Sequence, residues 1–176
     1  MDYLFKTFDE LERSAIKCSK NAPKRLQHST YLYFIARFFV SMYEVLYAEI
    51  PIQVWNEYRN ALDHLFRYIS TPVENDHLKK MEGHLLRSVL DITKLMYYKS
   101  KEYLDNEGNI YKDDEVVRQL ASAAEELFIK ARQEDIDLGG ESNQDVKILK
   151  LYMQCAFLVI DLRSHINNKI TSNVKI

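Results

Sequence analysis

Over the first twenty residues, Leu4, Phe8, Leu11, Ala15 and Cys18 recur at spacings of three and four, with charged residues between them. Such a stripe lies on one face of a helix and predicts a first helix over 2–20. The next segment is apolar almost all round, through Tyr31, Phe34, Ile35, Phe38, Phe39, Met42, Val45 and Leu46. It predicts a central helix over 26–49. Pro51 suits the first turn of a third helix over 51–70, which Thr71-Pro72 then breaks. A fourth helix over 73–104 is the longest and would reach about 48 Å. The run Asp105-Asn106-Glu107-Gly108-Asn109 has turn chemistry and is expected to close it.

A fifth helix is predicted over 113–134, with a stripe of Val117, Leu120, Ala124, Leu127 and Ala131 behind an acidic first turn. A loop over 137–143 holds Gly139-Gly140, and a sixth helix follows over 144–170. It is apolar through Leu149, Tyr152, Ala156, Val159, Leu162 and Ile166, and residues 171–176 are expected to fray. The pattern therefore predicts an all-α protein, an up-and-down helical bundle of about six helices with a four-helix core. At 176 residues it is expected to be a single domain over 1–176. No internal repeat or sustained heptad run is present.

Composition narrows the setting. The chain is 47% hydrophobic with only four Gly and three Pro, which argues against wholesale disorder. Cys18 and Cys155 form no disulfide framework and no metal pair, so they are expected to be ordinary thiols in a reducing compartment. The N-terminal segment is acidic and amphipathic, without the basic and apolar regions of a secretory signal. Residues 31–50 are the one membrane candidate, but Arg37, Glu44 and Glu49 interrupt them. A cytoplasmic protein with no membrane partner is expected. Net charge is −2, unevenly spread: residues 51–101 carry eight Lys/Arg against six Asp/Glu, and residues 102–145 carry four against thirteen. This excludes a generic basic nucleic-acid coat but not a local site. The acidic segment suits a solvated face, or one that repels nucleic acid or docks a basic partner.

The candidate chemistry sits in EYRNALDHLFR, residues 57–67. On a helical wheel Arg59, Asp63, Asn56, Arg67, Asn60 and His64 fall within an arc of roughly 140°. Trp55, Tyr58, Leu62, Leu65, Phe66 and Ile69 fall opposite. Asn60 and His64 are four apart and adjacent on the surface. The fourth helix carries a second polar stripe of His77, Lys80, His84, Arg87, Asp91 and Lys94. If the two helices form an antiparallel hairpin, His84 would lie near His64, and Asp63 or Asp91 would pair Arg87. The stripe is otherwise a solvated face laced with ion pairs. A guanidinium, an amide and an imidazole titrating near neutrality could act on a phosphodiester without a metal. Nucleophile elbows and phosphate-binding glycine loops are absent. No metal and no cofactor are expected.

Arg59-Asn60-Ala61-Leu62-Asp63-His64 resembles the Arg-x4-6-His pattern of the HEPN superfamily, helical-bundle proteins of toxin–antitoxin and anti-phage systems. The residue after the arginine is usually polar there, and here it is Asn60. EYRNALDHLFR followed by EGHLLRSVLD looks like one bacterial subgroup, over roughly residues 50–100. The resemblance implies a metal-independent endoribonuclease, a toxin or defence component. Arg59, Asn60 and His64 would be catalytic, and Asp63, Arg67, His84, Arg87 and Asp91 would support them. His64 would move protons at the 2′-hydroxyl and the leaving oxygen, and Arg59 would stabilise charge on the phosphate. Toxin members often carry Tyr two residues after the His, where this chain has Phe66, so neutralisation through that tyrosine is not implied.

The expected partners are RNA, single-stranded or structured, a second copy of the chain, and an antitoxin or effector protein. The two-fold interface is expected on the polar arc of the third helix, with Trp55, Phe66 or Tyr58 at its margins. The alternative is a catalytically inactive helical module that binds RNA or a protein as an accessory subunit.

Overall fold

The computed structural model describes residues 7–71, 76–111, 113–137 and 146–174. Among them are six helices, which form an all-α helical bundle. α1 spans Phe8–Lys20 and starts where Thr7, in an extended conformation, accepts the Glu10 N–H on Oγ1 at 3.2 Å. The predicted start at residue 2 lies outside the described residues. Leu11 and Ala15 are buried on the face that meets α2.

A 3₁₀ turn, Lys24–Leu26, leads into α2, Gln27–Tyr47. Its buried side is Leu32, Ile35, Ala36, Phe39, Met42 and Tyr43, while Tyr33 and Val45 stay exposed. α2 is therefore not enclosed on all sides as its composition suggests. It ends at Ala48, whose φ of 54° is left-handed and whose N–H bonds the Glu44 carbonyl at 2.8 Å. Pro51 caps α3, Ile52–Ser70. Pro72 and the break it was expected to make lie outside the described residues.

α4 runs Asp76–Tyr111, 36 residues or roughly 54 Å. It does not stop at 104, because the expected turn over 105–109 is helical. The reason lies at its far end. Tyr111 is buried in a cluster with Val117, Leu162 and Ile166, and Tyr103 and Leu104 pack against that cluster. Weak turn propensities of about 1 kcal/mol per residue do not outweigh such an anchor.

α5, Glu115–Asp137, starts at Asp114, whose Oδ1 accepts the Val116 and Val117 N–H groups. α6 spans Val146–Val174, so residues 171–174 continue the helix rather than fray. Gly139-Gly140 and the loop expected there lie outside the described residues.

The chain gathers into two compact units that divide between Ile92 and Thr93, within α4. The first contains α1, α2, α3 and the start of α4, and its buried residues include Leu11, Phe39, Val54, Leu85 and Val89. In the second, α5 packs along α6 beside the rest of α4. Tyr97 stacks on Phe128 with centroids 3.9 Å apart, and Phe128 meets Tyr152 edge-on at 5.7 Å. No helix among the described residues is long and apolar enough to cross a membrane.

Candidate functional site

α3 and the start of α4 bring five polar side chains together within the first unit. Glu57 and His64 are seven apart and share one face of α3; His77, His84 and Arg87 follow one face of α4. The His64 and His84 rings stack with centroids 5.3 Å apart and planes 19° from parallel. His64 Nδ1 lies 3.0 Å from His77 Nδ1, so one imidazole donates and the other accepts. Glu57 Oε2 accepts from His84 Nδ1 at 2.7 Å and from Arg87 Nε at 3.0 Å. Arg87 Nη2 also lies 2.6 Å from His84 Nδ1. That nitrogen can donate to Glu57 or accept from Arg87, not both, so the tautomer of His84 decides which bond forms.

The His64 imidazole is held below its ordinary pKa. Desolvation is the largest cause, followed by the His84 and His77 imidazoles; Lys80 adds to the effect and Asp63 opposes it. His64 is thus favoured as a neutral base near neutrality, with a second imidazole in contact to exchange a proton.

The expected set divides between two surroundings. His84 does lie against His64. Arg87 takes Glu57 as its ion-pair partner rather than Asp63, because Asp63 bonds Arg67 at 2.8 Å on the exposed side of α3. Asp91 is half-buried one turn beyond Arg87. Asn60 is half-buried one turn before His64. Arg59 makes no hydrogen bond or ion pair to another described residue. It lines an apolar groove of about 850 Å³ with Tyr33, Trp55, Leu62, Leu65 and Met81. Helical geometry sets the Arg59 and His64 directions about 140° apart, too wide for one compact site. Glu57 was missed in sequence; its place seven residues before His64 was the available signal.

Among the described residues, no group of three or more His, Cys, Asp or Glu is disposed to hold a metal ion. No family model, curated protein or solved structure matches the chain.

Proposed function

We propose that this chain acts on RNA as a metal-independent, HEPN-like endoribonuclease of the cytoplasm, in toxin or anti-phage defence. His64 is the proton-transfer group. The observation that carries the proposal is its imidazole, biased toward the neutral form and in contact with His77 and His84. The neutral imidazole would take the 2′-hydroxyl proton as that oxygen attacks phosphorus. A protonated imidazole would return a proton to the 5′-oxygen as the phosphorus–oxygen bond breaks, leaving a 2′,3′-cyclic phosphate. Asn60, one turn before, would hold a phosphate oxygen. Arg59, about 140° from His64 around α3, would contribute only longer-range positive charge and not contact the cleaved bond. Asp63, Arg67, His84, Arg87 and Asp91 would keep supporting places around this centre, and an antitoxin or effector partner belongs to the same proposal.

The separation of Arg59 from His64 favours a second reading, a non-catalytic module that binds RNA or a protein as an accessory subunit. Incubating the purified protein with mixed single-stranded RNA in excess EDTA decides between them. Cleavage leaving cyclic-phosphate ends, abolished by His64→Ala and weakened by Arg59→Ala, is expected for the enzyme. Cleavage that needs a divalent ion would overturn the mechanism, and RNA binding without cleavage would leave the accessory module.

A further inference from the structure

α3 carries a second surface, turned away from His64. Ile52, Trp55, Leu62, Phe66 and Ile69 each keep between 52% and 73% of their surface exposed. Together with Arg59 they step along the helix at 52, 55, 59, 62, 66 and 69, alternating by three and four. Those steps are the a and d positions of a helix–helix seam, and Arg59 is its one charged member. With large side chains offering roughly 150–250 Å² each, the stripe leaves about 500 Å² of apolar surface open. That lies in the upper part of the roughly 300–600 Å² range of the largest patch on a typical monomer, a kind of patch that is often functional. Two such stripes facing each other would bury about 1,000 Å², the floor for a specific interface.

We propose that α3 docks on α3 of a second copy of this chain, antiparallel, about a two-fold axis passing between Asn60 and Ala61. The stripe is self-complementary in that register. Ile52 meets the partner's Ile69, Trp55 meets the partner's Phe66, and Arg59 meets the partner's Leu62, so every a position faces a d position. The same contacts recur on the other side of the axis, as an isologous interface requires. Charge selects the direction. Parallel helices would set the two Arg59 guanidiniums against each other in one layer. Antiparallel helices separate them and bring each beside the partner's Asp63, whose bond to Arg67 is solvent-exposed. A single polar seam residue fixes register and orientation in this way. The pairing does not rest on RNA cleavage. It also moves the dimer contact from the polar arc of α3 to its apolar stripe, leaving His64 off the seam.

Light scattering at tens of micromolar should give about twice the 20.8 kDa chain mass. Phe66→Glu should yield monomer with unchanged helical circular dichroism. Leu62→Lys, which faces the partner's Arg59, should weaken association at least tenfold, whereas Leu62→Glu should retain it. On a Cys18→Ser background, Ile52→Cys chains mixed with Ile69→Cys chains should form a disulfide-linked dimer under mild oxidation, and neither should do so alone. A monomeric wild type, equal effects of Leu62→Lys and Leu62→Glu, or self-linking of each cysteine variant would each overturn the proposal.

Discussion

Replacing Glu57 with Gln tests whether the α3–α4 polar cluster holds the first unit together. Glu57 Oε2 is a shared acceptor, 2.7 Å from His84 Nδ1 and 3.0 Å from Arg87 Nε. Glutamine keeps the volume and can set its carbonyl oxygen where Oε2 lies, so both bonds survive but to a neutral acceptor. Each is weakened, and the Arg87 charge loses its counter-charge. Hydrogen bonds to charged groups contribute about 1.5–3 kcal/mol each against roughly 1 for neutral ones. The Glu57 side chain is only 20% exposed but Arg87 is 38% exposed, so water recovers part of the loss. The expected cost is about 2 kcal/mol, or a Tm lower by roughly 4–8 °C for a chain of this size. Asp63→Asn is the control, because its pair with Arg67 is open to solvent and such pairs contribute about 0.5 kcal/mol. Urea titration followed at 222 nm measures both. If Glu57→Gln costs no more than Asp63→Asn, the cluster is not a structural tie and the argument from shared acceptors fails.

The depressed pKa of His64 makes stability fall with acid. The neutral form is favoured in the folded state, so its contribution is complete above about pH 6.5 and is lost as pH falls through the folded value. Urea midpoints should fall less between about pH 7.5 and 5.5 for His64→Gln than for wild type; an equal fall would show that His64 is not the source of the dependence. Cys155 is buried, donates to the Ala124 carbonyl, and has its thiol pushed up to about 12 by burial, whereas Cys18 is exposed. Ellman's reagent should therefore titrate one thiol in the native protein and two in denaturant, and rapid release of two from native protein would contradict that burial.

Periodicity alone located the helices, because the three-and-four spacing of residues such as Leu11 and Ala15 records a buried face directly. It failed at the end of α4 for a physical reason. The turn signal over 105–109 is local, and the anchor that overrides it, Tyr111 against Leu162 and Ile166, is distant in sequence. In α3 the pattern showed an apolar arc but not what covers it. Small Ala61 and Val54 take the buried positions, while the bulkier Trp55 and Phe66 face solvent. The proximity of His84 to His64 was legible because both lie on polar stripes of predicted neighbouring helices. The place of Glu57 was not, since an acidic residue at the edge of such a stripe looks like ordinary solvated charge. Arg59 and His64 shared an arc on the wheel only because the arc was wide, and a long side chain was assumed to close the gap.

The aromatic stack of the second unit bears on the order in which the protein folds. Tyr97, Phe128 and Tyr152 come from α4, α5 and α6, so the stack completes only after two successive helix–helix connections have closed. His64 and His77 are thirteen residues apart and need only one short connection. Loop closure favours the shorter contact. The α3–α4 hairpin is therefore suited to form early and the aromatic stack late. Strengthening the stack would then act chiefly by slowing unfolding, giving the second unit a longer native lifetime with little change in how fast the chain finds its fold.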